Sequence, residues 1–309
     1  MVQGLEQELQ QQASELTLGP VLFNWAPERW RDFYFRIADE APLTTVYLGE
    51  AICFKRAPLF DDFLDAVAER LVASGKTVVR STLSEVMSKQ ERQLVADVCA
   101  DPAVMVEAND GSALSHLRGR PHHVGPFMNV YNERTMAVLA RGGAGVICVP
   151  PEMPKEAIAA LCADAAELGV AIETQVFGRL PLALSARCYH ARAHDRHKDS
   201  CQFVCNEDPD GMTLRTLDNQ PFLAINGIQT LSYDYLNLVG ELQDLETRGV
   251  HRFRLSPHNC DMVEVATTFR DVLDRRIEIS EATRRLAALD IDAPFSNGFY
   301  HGKAGHSWN

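Results

Sequence analysis

Between residues 17 and 276, short β-like runs alternate with helix-length amphipathic segments, and that alternation leaves few folds open. The runs fall at 17–25, 44–48, 77–82, 104–108, 123–130, 145–149, 170–176 and 251–255. Helical patterns begin near Pro27 and recur at 59–73, 84–100, up to 117, 132–140, 155–168, 234–248 and 261–276. Pro27 suits a first helical turn, where its missing N–H has no partner to lose. Ser84 is the expected N-cap of its helix, and Gly142-Gly143 and Gly169 are stop signals. Eight strand-then-helix units predict an α/β fold, a (β/α)8 TIM-barrel-like domain. It should be irregular, because the seventh run enters a cysteine-rich loop followed by β-like pieces at 213–217 and 222–225. An open doubly wound sheet is the alternative. The absence of G-x-G-x-x-G after a first strand, and of G-x-x-x-x-G-K-[ST], weighs against its nucleotide-binding versions.

The expected organisation is a flexible Gln-rich extension over 1–16, one barrel-like domain over 17–295, and a tail over 296–309. The tail carries Gly298, Gly302 and Gly305 and reads as an extended or partly disordered arm. With 46% hydrophobic residues the chain can bury a sizeable core. Thirty basic against 42 acidic residues leave a net charge of −12, without a basic stripe, so no nucleic-acid partner is expected. No apolar run is long enough for a membrane span, and the first residues lack the basic-then-apolar order of a secretory signal. The cytoplasm is the expected compartment, and there eight cysteines read as thiols, ligands or redox groups rather than as a disulfide frame.

Three of those cysteines, Cys188, Cys201 and Cys205, stand as C-x12-C-x3-C in a loop rich in Arg, His and Asp. Thiolates grouped so hold zinc or an iron–sulfur centre. Cys53, far upstream, can join them: in a β/α barrel the ends of the strands converge on one mouth, and both segments leave from such ends. Cys99, Cys148 and Cys162 fall in core-like patterns and read as buried thiols; Cys260 is undecided. His190, His194 and His197 are a rival ligand set, the first two at i, i+4. Among Arg187, Arg192, Arg196 and Lys198 they read as surface groups or as groups behind the ligands.

Other polar residues at the expected mouth are Glu50, Glu107, Asp110, Asn129, Asn132, Glu152, Glu173, Arg254 and Ser256. Glu50, Asn129, Glu173 and Arg254 are the candidates for chemistry there. Each has a plainer reading: carboxylates at helix N-termini, asparagines closing turns, and Arg254 as a buried cation paired to Glu173 or Glu107. No H-E-x-x-H and no G-x-S-x-G is present. A Cys–His protease stays open on spacing alone, but clustered cysteines are more economically explained by metal.

Residues 176–188, V-F-G-R-L-P-L-A-L-S-A-R-C, resemble the V-H-G-A-L-C-V-A-Y-S-G-R-C signature of the collagenase-like peptidases of family U-32. That family has a barrel-like region and a four-cysteine cluster site. Two positions depart: Phe177 stands for the signature histidine and Pro181 for its first cysteine. The ubiquinone-biosynthesis branch of the family shows this loss and compensates with an early cysteine, matched here by Y-L-G-E-A-I-C at 47–53. Residues 18–22, 185–188, 223–230, 254–257 and 297–300 also match. The resemblance implies a 4Fe–4S cluster on Cys53, Cys188, Cys201 and Cys205. It further implies an oxygen-independent hydroxylation of a ubiquinone precursor, with prephenate as oxygen source. The implied partner is a homologous UbiU-like subunit, in a heterodimer. A peptidase or RNA-hydroxylating relative, and a non-catalytic metal-stapled scaffold, are the other functions considered.

Overall fold

The computed structural model describes residues 14–309. The strands are β1 (Glu15–Leu18), β2 (Thr45–Leu48), β3 (Thr77–Ser81), β4 (Val106–Ala108), β5 (His122–Val124), β6 (Ala144–Val149) and β7 (Ala171–Leu184). They continue with β8 (Met212–Arg215), β9 (Pro221–Asn226), β10 (Gln229–Asn237), β11 (Arg252–Leu255) and β12 (Phe295–Ser296). The helices are α1 (Pro27–Glu40), α2 (Asp61–Ala73), α3 (Lys89–Ala100), α4 (Gly111–Leu117), α5 (Glu133–Arg141) and α6 (Lys155–Leu168). After the cysteine loop come α7 (Tyr189–Ala193), α8 (Leu242–Thr247), α9 (Met262–Leu273) and α10 (Ile279–Ala287).

Strands β1 to β7 pair in order, all parallel, because an amphipathic helix carries the chain back after each. In α1, Trp30, Tyr34, Ile37 and Ala38 are buried; their spacing is one apolar helical stripe against the strands. The sheet closes because β11 pairs in parallel with both β1, where Arg254 faces Thr17, and β7, where Arg252 faces Glu173. The result is a closed eight-stranded (β/α)8 barrel, as the alternation of the sequence predicts.

β7 runs on past the barrel. Its first half is a barrel strand; its second pairs antiparallel with β10, which pairs with β9, and β9 with β8. The two halves meet at Gly178, at φ +106°, where a Cβ would stand 2.7 Å from His258 Nε2 and 2.8 Å from Ser256 Cβ. Glycine alone permits this bend.

Several expected boundaries move. The helix predicted over 234–248 is a strand as far as Asn237, with only α8 helical. Tyr235 and Leu236 face Arg179 and Gly178 of β7, and ladder pairing outweighs a helix-like apolar period. Helix α10 has no counterpart in the sequence reading; only Ala282 and Leu286 are buried, a short stripe. The N-cap of α3 is Ser88, not Ser84. Ser88 Oγ accepts from Glu91 N–H at 3.1 Å while Glu91 Oε2 accepts from Ser88 N–H at 2.7 Å, a capping box. Ser84 instead donates its hydroxyl to Ala51 O at 2.7 Å.

Of the expected extension, residues 1–13 lie outside the described residues, and Glu15 and Leu16 belong to β1. The C-terminal arm is packed rather than loose. β12 pairs with β10, and the hydroxyl of fully buried Tyr300 donates to Asp244 Oδ2 at 2.8 Å. Asn297 Nδ2 donates to Glu241 Oε1 at 2.9 Å. Among the described residues no helix is long and apolar enough to cross a membrane.

Candidate metal centre

Cys53 sits in the loop that leaves β2. Glu50 shapes that loop: its Oε1 accepts the backbone N–H of Ile52 at 2.7 Å and of Cys53 at 2.9 Å. Burial raises the Glu50 pKa, opposed by Arg56 and by these two N–H groups. Cys188 caps α7, its Sγ accepting from Ala191 N–H at 3.4 Å. Cys201 follows a 3-10 turn at Lys198–Ser200, and Cys205 lies in another at Val204–Asn206. The Cys205 Sγ accepts from Asn24 Nδ2 at 3.4 Å. All four cysteines line one small cavity, with Arg56, Val204 and Ile228 on its wall.

Arg56 is the charge in that wall, 1% exposed. Its Nη1 donates to Leu22 O at 2.8 Å and its Nη2 to Asn226 Oδ1 at 3.0 Å; Nε has no partner among the described residues. Burial opposes its charge, but Glu50, Cys205 and Cys53 outweigh burial and hold the guanidinium protonated. Burial pushes the Cys53 thiol up to about 11 and raises Cys188 as well. A metal entering here must therefore displace protons. The donor set suits such a group: four soft sulfurs, N–H groups aimed at two of them, and one buried cation to offset thiolate charge. A single zinc ion would draw four thiolates to about 3.8 Å from one another. Among the described residues, the one group of three or more His, Cys, Asp or Glu ligand atoms within 4.8 Å does not include a cysteine. No three of the four sulfurs lie within 4.8 Å of one another.

The cysteine loop is held over the mouth by the loops beneath it. Trp25 Nε1 donates to Pro209 O at 2.6 Å, and Asn226 Nδ2 to Leu22 O at 2.7 Å. Lys55 Nζ donates to Lys198 O at 2.6 Å, and Lys198 Nζ lies 3.7 Å from Glu91 Oε1. A second, mostly apolar cavity shares Glu50 with this site and is lined by Trp30, Phe60, Thr82, Leu94 and Arg80. Arg80 has no ion pair among the described residues; burial lowers its pKa.

Glu173 and Arg254 lie elsewhere, inside the barrel. Each of the eight strands contributes to a polar layer, through Thr17, Tyr47, Ser81, Glu107, His123, Cys148, Glu173 and Arg254, with Arg252 beside Glu173 as well. Arg254 bonds Glu173 Oε2 through Nε at 2.7 Å and Glu107 Oε1 through Nη2 at 2.6 Å, with its guanidinium 3.9 Å from the Tyr47 ring centre. Ser81 donates to Glu107 at 2.7 Å, Thr17 to Glu173 at 2.8 Å, and Tyr47 to Glu173 at 3.2 Å. His123 Nδ1 is 3.0 Å from the Tyr47 hydroxyl; burial pushes this imidazole down to about 4, with Glu173 opposing. Cys148 is buried beside Arg254 and Glu173. Arg254 is thus paired to both Glu173 and Glu107.

Asn129 is exposed, in a left-handed turn at φ +53° after Pro126–Met128. Asp110 and Asn132 are N-caps of α4 and α5. Glu152 accepts from the Tyr131 hydroxyl. His197 is exposed, whereas His190 is fully buried against Asp208, so of its two readings only that of a surface group fails.

Four contributors escaped the sequence reading: Asn24, Arg56, Asp208 and a cluster around Asp210. In that cluster His258 Nδ1 donates to Asp210 Oδ1 at 2.7 Å while His258 Nε2 accepts Arg179 N–H at 2.9 Å. Arg179 Nε is 3.2 Å from Asp210 Oδ2, and the Tyr235 hydroxyl donates to the same oxygen. Burial works against the Asp210 charge, but His258 and Arg179 outweigh it and hold this carboxyl well below the usual range. Cys260 belongs to these surroundings, its thiol pushed up to about 12 by burial and by Asp210. The available signal was positional: Arg56 follows Cys53 by three residues, and His258 follows the end of β11 by three.

The sequence profile of peptidase family U32 matches residues 27–309. The chain belongs to peptidase family U32. Among solved structures it is similar to an octameric ribulose-1,5-bisphosphate carboxylase/oxygenase from Pyrococcus horikoshii, at 14% identity and a TM-score of 0.48, over 93% of this chain and 66% of that one. An uncharacterized B. cereus protein matches at 8% identity and a TM-score of 0.42, over 90% and 66%. An N-isopropylammelide isopropylaminohydrolase from Burkholderia multivorans matches at 14% identity and 0.42, over 88% and 71%. The U32 chain therefore spans 66% of the length of each of the first two.

Proposed function

We propose that this U32 protein is an iron–sulfur subunit of the UbiV type. In this reading Cys53, Cys188, Cys201 and Cys205 hold a 4Fe–4S cluster. The subunit works with a UbiU-like partner in an oxygen-independent hydroxylation of a ubiquinone precursor, with prephenate as oxygen source. The observation that carries the reading is the meeting of Cys53 with the three later cysteines on one cavity. Pro181, where the family signature has its first cysteine, stands in the β7–β10 ladder opposite Leu231; in this reading Cys53 supplies the fourth thiolate.

A cluster bound by four thiolates is coordinatively full and supplies one-electron transfer rather than polarisation of a carbonyl. The residues of the chain do the rest. Arg56 offsets thiolate charge, Glu50 fixes the Cys53 loop, and Asn24 and the Ala191 N–H donate to sulfur, which tunes a bound centre. The neighbouring cavity is our candidate for the small-molecule site, since Arg80 offers a guanidinium to a carboxylate and Trp30 and Phe60 an apolar wall.

Protein purified without air should carry about four irons and four sulfides per chain. Cys53→Ala should lose them, while Cys99→Ala, buried in the α3 core, keeps them. A colourless wild-type preparation that binds one zinc tightly would reverse the assignment.

A further inference from the structure

Beside the cysteine cavity, and independent of the reading above, a second donor set converges. His190, His194 and Asp208 each place one ligand atom within 4.8 Å of the other two. His190 Nε2 is 2.9 Å from Asp208 Oδ2, already the spacing of two ligands on one ion. The two imidazoles are stacked, with centroids 5.7 Å apart and planes within 12°. His190 is fully buried, and among the described residues the sheltered Nε2 of His194 has no hydrogen-bond partner.

A buried His–Asp pair on its own is an ordinary structural contact, and His190 with Asp208 alone would be read so. The third member decides against that. His194 brings a further nitrogen to the pair, and the rings of the two histidines lie face to face with no hydrogen bond between them. Leaving a buried polar nitrogen unmet costs about 1–3 kcal/mol. A cation beside Asp208 takes one nitrogen from each ring, and in His194 a nitrogen stands unmet. Local sequence makes the arrangement: positions 190 and 194 lie one helical turn apart along α7 and just beyond it, and Asp208 enters from the turn that follows Cys205.

We propose that His190, His194 and Asp208 form a separate site for one divalent transition ion. Two imidazoles and one carboxylate select borderline ions such as Fe(II), Co(II) or Zn(II) over Ca²⁺ and Mg²⁺, which prefer all-oxygen shells. Three protein ligands leave positions open, so the ion is able to take water or a small oxygen ligand, unlike a centre closed by four thiolates.

Co(II) is the probe, added without air to the protein as purified and to its His194→Ala, Asp208→Asn and Cys53→Ala variants. One Co(II) per chain should bind with weak d–d bands and no sulfur-to-metal charge transfer. Affinity should drop by roughly 100-fold or more in His194→Ala and Asp208→Asn and hold in Cys53→Ala. Circular dichroism and thermal unfolding close to wild type establish that the variants fold; should His194→Ala unfold, His194→Gln replaces it. Binding that survives both ligand changes, or that is absent from wild type, overturns the proposal. So does intense charge transfer that disappears with Cys53→Ala, because the ion then sits among the cysteines. Loss of iron from Cys53→Ala with Co(II) binding retained separates this site from the cluster.

Discussion

Arg56 carries a full charge into a wall shared with four thiols, and its worth depends on whether those thiols are ionised. With protons on sulfur, the guanidinium is balanced by Glu50 alone; with a thiolate-bound centre, it offsets the added negative charge. On the proposed cluster, Arg56→Met should therefore leave a protein that folds yet holds iron poorly, while Arg56→Lys keeps the charge but loses the fork that bridges Leu22 O and Asn226 Oδ1. The rate of iron loss to a chelator at neutral pH reports the order wild type, then Lys, then Met; equal rates would show that Arg56 is only a strut. At Ser88 the expectation is purely structural. Ser88→Ala removes the capping oxygen of α3 and should lower stability by about 1 kcal/mol in urea unfolding, without change in bound iron.

The long strand β7 joins the barrel to the cysteine loop, and its bend is where the two are coupled. At Gly178 an added Cβ meets His258 Nε2 and Ser256 in a backbone region that side chains rarely occupy. Gly178→Ala should destabilise by about 3 kcal/mol, combining strain and overpacking, and should disturb the His258–Asp210 pair first. An unchanged urea midpoint would show that β7 relaxes there freely. Much at this scale was legible in the sequence. Strands β2, β3, β6 and β11 fall within a residue or two of their predicted runs, because parallel barrel strands are continuous apolar stretches between helix caps. β10 was not legible. Tyr235, Leu236, Leu238 and Leu242 fit a helical period, and only the ladder to β7 makes the first two strand residues. The C-terminal arm was misjudged for a related reason: its glycines suggest looseness, while Tyr300 and Asn297 find partners 56 residues earlier in the chain.

Across the whole molecule, the interior of the barrel is charged rather than oily, and that makes stability depend on pH. His123 has a folded pKa of about 4 against about 6.5 when unfolded. The unfolded chain thus takes up a proton first as pH falls. Stability conferred by neutral His123 is complete above about pH 6.5 and declines towards pH 4, by on the order of 3 kcal/mol in all. Asp210, whose folded pKa is depressed, adds a further loss below about pH 4, where the unfolded carboxyl protonates before the folded one. Urea unfolding between pH 7.5 and 4 should show this acid limb, and His123→Gln should flatten its upper part; an identical slope in the variant would remove His123 from the account. The cysteine trio at 188, 201 and 205 could be picked out because its grouping is conspicuous, and Cys53 was joined to it through the convergence of strand ends and the family resemblance. Arg56, Asn24 and Asp208 could not, since loop residues carry no period and their roles exist only once the barrel brings the loops of β1, β2 and β7 to one mouth.

The measurement that bears most directly on this arrangement is low-temperature EPR of the dithionite-reduced protein, kept from air, for wild type, Cys53→Ala and Cys148→Ala. A cage completed by the early cysteine predicts the signal of a reduced 4Fe–4S cluster in wild type, its retention in Cys148→Ala and its loss or change of shape in Cys53→Ala. A Cys53→Ala spectrum identical in form and intensity to wild type would mean that the later cysteines hold the iron without it.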